Sequence, residues 1–339
     1  MKNLWNLAIV NATSEVGKQM IECLDERKFP VGKIKLLVRS RSAEDIMEFK
    51  GKPMMVEELT HDSFDGVDIA LFCAGSVLSR EFCPSAVSSG AVCIDSSSAW
   101  RMDPDVPLVV PEVNPHTILQ YTGKGIIACP NSSTIQMVVA LNPLHEFGRI
   151  RRIVVSTYQS VSGSGKKAIA ELRTQTIDLM NARPAKYKIF PHRIAFNCLP
   201  QTDTFRPDGY TREEMQMAEE TCKIMVADIR TTATTVYVPV FYGNCQAVNI
   251  ETEKKITVDK ARELLANATG CRLVDDTAHK KYPLPSEAAG QDLIDVGRIR
   301  EDKSIENGLN LWTVADNIRK GAATNAVQIA ELLVDKYFK

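Results

Sequence analysis

Continuous apolar runs alternate with stretches of helical period over the first third of the chain. Leu7-Ala8-Ile9-Val10 has no polar interruption, as expected of a strand covered on both faces, and Val16, Met20, Ile21 and Leu24 then recur at helical spacing. Similar runs at Ile34-Lys35-Leu36-Leu37-Val38, Ile69-Ala70-Leu71-Phe72-Cys73 and Ala91-Val92-Cys93-Ile94-Asp95 predict further strands, with a helix over Glu81 to Ser88 between the last two. Strands alternating with helices predict an α/β fold with a doubly wound, Rossmann-type parallel sheet over residues 1–128. From about Ile150 the runs lengthen and become β-rich, as in Arg152 to Tyr158 and Thr235 to Val240, around a helix from Glu213 to Met225. These predict a mixed α+β domain over 129–316, with the Pro- and aromatic-rich segment 183–211 as a long excursion or lid. Helical periodicity from Val314 through Val327 to Val334 predicts a final helix, and residues 317–339 are assigned to the first domain.

Composition narrows the function classes. The 339 residues are 44% hydrophobic and 24% charged, enough for a sizeable core in each of two domains. Forty-one basic and 42 acidic residues leave a net charge of −1, so there is no global attraction toward nucleic acid or an anionic membrane, and neither is an expected partner. No apolar run is long enough to span a bilayer, and Met1-Lys2-Asn3-Leu4-Trp5-Asn6 lacks a signal-peptide pattern, which makes the cytoplasm the expected location. The nine cysteines are scattered without a C-x-x-C pair, so neither a disulfide framework nor a metal site is expected.

Between the first strand and helix lies Asn11-Ala12-Thr13-Ser14-Glu15-Val16-Gly17. A dinucleotide turn uses glycines here so that the backbone can turn tightly and approach a pyrophosphate at the helix N-terminus. Only Gly17 of the expected glycines is present; Asn11 can adopt left-handed angles, whereas Ser14 brings a Cβ toward the phosphate position. After the second strand, Arg41 and Ser42 in Arg39-Ser40-Arg41-Ser42 could clasp a 2′-phosphate, opposed by the nearby Glu44 and Asp45.

A loop-to-helix turn, Cys129-Pro130-Asn131-Ser132-Ser133-Thr134, runs into the apolar Ile135 to Leu141. With Ser97-Ser98-Ala99-Trp100-Arg101-Met102-Asp103, Val109-Val110-Pro111-Glu112-Val113-Asn114, Ser156-Thr157-Tyr158-Gln159-Ser160, Gly243-Asn244-Cys245-Gln246-Ala247-Val248-Asn249 and Asn317-Ile318-Arg319-Lys320-Gly321, it resembles aspartate-semialdehyde dehydrogenases over nearly the whole chain. The resemblance implies two domains, a homodimer, NADP as cofactor, and the reversible reductive dephosphorylation of aspartyl phosphate in amino-acid biosynthesis through a thioester on cysteine.

Carried over position by position, the resemblance makes Arg101 a phosphate-binding arginine, Gln159 an active-site glutamine, and Glu220 and Lys223 a substrate-contacting acid and lysine. Asn11, Thr13, Ser14, Glu15, Val16, Gly17, Arg41, Ser42 and Asn317 fall at cofactor-binding positions. The family's nucleophilic cysteine is replaced by Ser132, its acid/base histidine by Asn244, and its substrate-clamping arginine by Tyr237. A hydroxyl without an adjacent base is a poor nucleophile, and an amide cannot replace imidazole as a base, so the two losses compound. The expectation is a family member with lost or greatly reduced activity and weakened or absent NADP binding. Its role would be binding, regulation or assembly, as a homodimer or a heterodimer with an active paralogue, with a small anion as a permitted ligand. The alternative is a functioning NADP-dependent aspartate-semialdehyde dehydrogenase, or a related enzyme of altered chemistry, with Cys129 or Cys245 as a relocated thiol.

Overall fold

The computed structural model describes residues 4–39 and 46–338, and the chain divides into two compact units, 1–131 with 322–339 and 132–321. In the first unit the elements run β1 (Trp5–Val10), α1 (Glu15–Glu26), β2 (Val31–Val38), β3 (Ile46–Phe49), β4 (Lys52–Glu58), β5 (Ile69–Phe72), α2 (Ser76–Ser88), β6 (Val92–Asp95) and β7 (Ile126–Ala128). They form one sheet in the order β3-β4-β2-β1-β5-β6-β7, parallel throughout except for the β3–β4 hairpin. The order reverses at β1, so the crevice beyond the carboxyl ends of β1 and β5 is the expected ligand position of such a sheet. Leu7 to Val10 and Ile69 to Phe72 are fully buried, which is why these strands read as unbroken apolar runs.

The second unit continues with α3 (Ser132–Gly148), β8 (Ile150–Gln159), α4 (Lys166–Met180), α5 (Arg212–Met225), β9 (Arg230–Tyr237), β10 (Asn244–Thr252), α6 (Val258–Ala266), β11 (Cys271–Leu273), α7 (Pro285–Ala288), β12 (Ile294–Asp302) and β13 (Gly308–Ala315). Its sheet runs β11-β12-β13-β10-β8-β9, with antiparallel pairs in the middle and a parallel pair at each edge. Helix α3 packs against this sheet, and every residue from Ser133 to Leu141 is buried, so its apolar character all round reflects a central position. The chain then returns to the first unit as α8 (Thr324–Leu332), which buries Ala326, Val327 and Ala330 in the same core as Met20 and Leu24 of α1.

Two expectations are corrected. The final helical region starts at Arg319 and not at Val314, which lies in β13. Asp316 divides the two, its Oδ1 accepting from the amides of Ile318 at 2.8 Å and Arg319 at 3.1 Å as a helix cap does. The strand expected through Val240 ends at Tyr237, two residues short of Pro239, which has no N–H to donate. Segment 183–211 contains neither helix nor strand and makes isolated bridges, Leu199 with Tyr237 and Phe205 with Thr211.

Candidate functional site

In the first unit the β1–α1 turn keeps the backbone shape that a dinucleotide turn demands. Asn11 sits at φ 68°, the left-handed conformation expected of it, held by its amide donating to Leu37 O at 2.7 Å and its Nδ2 to Cys73 O at 3.1 Å. A Cβ on Gly17 would come within 2.5 Å of Ala12 O, so glycine is required there. Ser14 behaves differently from a bare obstruction. It is the N-cap of α1, at φ −69° and ψ 164°, and its Oγ turns back to accept from Gly17 N at 3.0 Å. Its hydroxyl also lies 3.7 Å from Cys73 Sγ. Glu15 adds a carboxylate to the first turn, which suits the helix dipole and opposes a phosphate at the same place. Thr13 and Val16 are half-buried beside them. Arg41 and Ser42 lie outside the described residues.

Arg101 is buried in the same unit, its Nε donating to Cys129 O at 2.9 Å and its Nη2 to Ser96 O at 2.9 Å. The guanidinium is thereby fixed in orientation before any anion arrives. Asp95 beside it accepts from Ser79 Oγ at 2.7 Å and from Ser97 Oγ at 2.6 Å, and burial holds its carboxyl above the usual range. Cys129 is fully buried, and burial pushes its thiol up to about 11.

In the second unit, Ser132 opens α3, half-buried, with its neighbour Ser133 fully buried. Three strand ends converge near this helix start. Gln159, the last residue of β8, pairs in register with Tyr237, the last of β9, while Tyr158 pairs with Cys245 at the head of β10. Gln159 Nε2 is within reach of Ser133 Oγ at 3.3 Å, Thr157 Oγ1 at 3.2 Å and Glu213 Oε1 at 2.9 Å. The contact with the carboxylate is the shortest. Asn244 Oδ1 accepts from the Ser160 amide at 2.9 Å, which fixes the side chain's orientation, and lies 3.1 Å from Ser160 Oγ. Asn317 Oδ1 lies 3.1 Å from the hydroxyls of both Ser160 and Ser162. The structure therefore places Asn317 in a buried serine–asparagine cluster of the second unit.

Tyr237 donates no charge to this cluster. Its OH accepts from Ser164 Oγ at 2.9 Å and its ring meets Phe190 edge-on at 5.1 Å between centroids. Burial, and then the neighbouring Glu213 carboxylate, push its phenol up to about 12. Glu220 is fully buried and Lys223 half-buried on α5, whose start is fixed by a capping box between Thr211 and Glu214. The histidines of this unit are elsewhere. His145 sits in the last turn of α3, about 20 Å along the helix from Ser132 by its rise per residue; His192 is exposed, and His279 is exposed and held by Asp276 at 2.7 Å. Cys245 is buried, with its thiol pushed up to about 12.

The family profile for the semialdehyde dehydrogenase NAD binding domain matches residues 6–121, and that for the semialdehyde dehydrogenase dimerisation domain matches residues 141–320. An aspartate-semialdehyde dehydrogenase of Aquifex aeolicus is 53% identical over 97% of this chain and 98% of its own length. The chain belongs to the aspartate-semialdehyde dehydrogenase family. A crystal structure of aspartate semialdehyde dehydrogenase II from Vibrio cholerae is 48% identical, covers 99% of this chain and 100% of its own, and superposes with a TM-score of 0.96. A structure with NADP from Candida albicans, at 20% identity, 98% coverage of each chain and a TM-score of 0.72, shares the fold.

Family membership accounts for the two units, one built as a nucleotide-binding sheet and the other named for dimerisation. Sequence reasoning missed Glu213 as a site residue. Its signal was present, because Glu213 and Glu220 are seven residues apart on α5 and so share a helix face. Ser133 was likewise hidden beside the more conspicuous Ser132.

Proposed function

We propose that this family member has lost, or retains only weakly, the thioester route of reductive dephosphorylation, and serves as a binding or regulatory protein within a dimer. The observation that carries this reading is the joint replacement of the thiol and imidazole positions by a hydroxyl and a carboxamide. Ser132 stands at the nucleophile position, and Asn244, at the base position, uses its side-chain oxygen to hold the Ser160 amide. A serine hydroxyl needs a base to attack an acyl phosphate, and a carboxamide does not supply one near neutral pH. Buried thiols at Cys129 and Cys245 are held protonated and do not replace it. Tyr237, at the clamp position, offers a neutral phenol where a bidentate cation would hold a carboxylate, a difference of about 2–4 kcal/mol.

For the cofactor, Asn11 and Gly17 keep the backbone shape of a dinucleotide turn, and NADP is the ligand that the fold implies. Glu15 in the first turn and the Ser14 cap oppose a pyrophosphate there, so the reading includes weak NADP binding. Arg101 in the first unit, and Glu220 and Lys223 in the second, each supply polar binding chemistry, and a small anion remains the permitted ligand. The name of the second-unit family supports a homodimer; pairing with an active paralogue is the variant that co-purification would reveal.

The second reading is a functioning NADP-dependent aspartate-semialdehyde dehydrogenase, and kinship favours it: relatives at 45–53% identity over 97% or more of this chain bear that name. A steady-state assay with aspartyl phosphate and NADPH, beside one such relative, separates the two. Turnover lower by about 10⁴-fold or more, the combined scale of losing nucleophile and base, supports the first. Turnover within about tenfold of the relative establishes the second. Calorimetric titration with NADP tests the cofactor reading independently, and tight binding would contradict it.

A further inference from the structure

The sheet of the first unit splits open between β2 and β4. Strand β2 runs from Val31 to Val38, yet it pairs with β4 only through Leu36, Leu37 and Val38. Below that point β4 turns to its hairpin partner β3, pairing Met55, Met54, Pro53 and Lys52 with Ile46, Met47, Glu48 and Phe49. On the other side of β2 the register with β1 shifts between Trp5↔Val31 and Leu7↔Ile34, an extra residue on β2 that bends the strand. The diverging strands enclose a cleft of about 580 Å³, within the range of small-molecule sites.

The chemistry of this cleft is one-sided. Among the described residues, Lys33, Lys35, Lys50 and Lys52 line it against a single acid, Glu57, over apolar groups that include Ile34, Phe49 and Met54. Lys35 is anchored, its Nζ donating to Ser63 O at 2.8 Å and Asp65 O at 3.1 Å. Lys50 and Gly51 form the hairpin tip at φ 51° and φ 72°, a two-residue turn that holds Lys50 and Lys52 at fixed positions. Lys33, Lys50 and Lys52 have no ion-pair partner among the described residues. Several ammonium groups around one cavity repel one another until a multivalent anion neutralises them, and lysine serves phosphate well as a point charge.

We propose that the cleft between β2 and the β3–β4 hairpin is a binding site for a small organic polyphosphate, separate from the dinucleotide turn. The phosphates meet Lys33, Lys50 and Lys52, and the organic body lies over the apolar floor. Because the lysines are exposed, binding is sensitive to salt.

The test is a calorimetric titration of the full chain with ATP at low salt, with adenosine as the uncharged control, on the wild type and on Lys33→Glu/Lys52→Glu. Expected are saturable ATP binding in the wild type, none of comparable affinity for adenosine, and a loss of about tenfold or more in the double variant. The milder Lys33→Gln/Lys52→Gln pair, checked for an unchanged melting temperature, gives the same direction if charge reversal disturbs folding. Undiminished ATP affinity in the variants, as would follow if the dinucleotide turn held the nucleotide, overturns the proposal. So does adenosine binding as well as ATP, or a failure to saturate at millimolar concentration.

Discussion

On the proposed reading, introducing cysteine and histidine together, in Ser132→Cys/Asn244→His, is expected to give chemistry that neither change gives alone. Cysteine keeps the existing Cβ and exchanges Oγ for a larger Sγ, and the crowding there is already tight, because a Cβ on Gly321 would lie 2.6 Å from that of Ser132. At the first residue of α3 the helix dipole contributes about 0.3–1 kcal/mol to a thiolate, or about 0.2–0.7 of a pKa unit below an ordinary thiol near 8.5. A substantial thiolate fraction then exists at pH 8, where a serine hydroxyl has essentially no alkoxide. Asn244→His adds a base worth about 10²–10⁴ in rate, against the loss of an acceptor for the Ser160 amide, about 1–3 kcal/mol unless a ring nitrogen accepts in its place. The assay has two stages. Iodoacetamide labelling in a Cys198→Ser/Cys222→Ser background, which removes the exposed thiol and a half-buried one, should show one fast-reacting cysteine in Ser132→Cys and none in Ser132 protein, since Cys129 is held near 11 and Cys73 and Cys245 near 12. Turnover of aspartyl phosphate should then rise by about 10²-fold or more from Ser132→Cys to the double variant. Turnover in the wild type equal to the double variant, or fast labelling of its Cys129 or Cys245, would refute the reasoning.

Other consequences are local. Gly321→Ala should cost about 1–3 kcal/mol through its contact with Ser132, lowering Tm by several degrees in scanning calorimetry, whereas an unchanged Tm would mean that the helix start yields. Asn11→Ala should destabilise by about 1–2 kcal/mol at φ 68° and Asn11→Gly by far less, as urea unfolding would measure; equal losses would put the value in its Nδ2 bond to Cys73 O. The Tyr237 phenol is raised from 10.0 to about 12 in the folded chain, so the folded state binds the extra proton between those values. Its contribution to stability is full below pH 10 and falls as pH rises toward 12. Tyr237→Phe should flatten that part of the stability profile, and an unchanged slope would assign it to another group.

The two layers of the fold were legible because burial on both faces leaves a direct trace in sequence. Leu7 to Val10 and Ile69 to Phe72 are apolar without interruption for that reason, and α1 shows its one buried stripe through Met20, Ile21 and Leu24. The family was also legible, because the turn at 129–134 and the other matching segments keep their residues in order. So was the left-handed role of Asn11, which follows from what asparagine tolerates locally. The end of β13 was not, since Val314 fits a helical period and a strand alike until Asp316 is seen capping the next helix.

Tertiary structure alone decided what the replaced side chains do. Sequence identifies Ser14 as a departure from glycine, but only the fold turns it back onto the Gly17 amide as a cap. Asn244 reads as a lost histidine, yet its oxygen has become a fixed acceptor for Ser160, and Asn317 joins the same cluster from 157 positions away from Ser160. Glu213 becomes a site residue only because β8 delivers Gln159 to it. Apolar periodicity is a local property, set by neighbours a few residues away, and a sequence records it. Hydrogen-bond partners are chosen among groups that the folded chain brings within about 3 Å, and their pairing exists only once the backbone has fixed the distances.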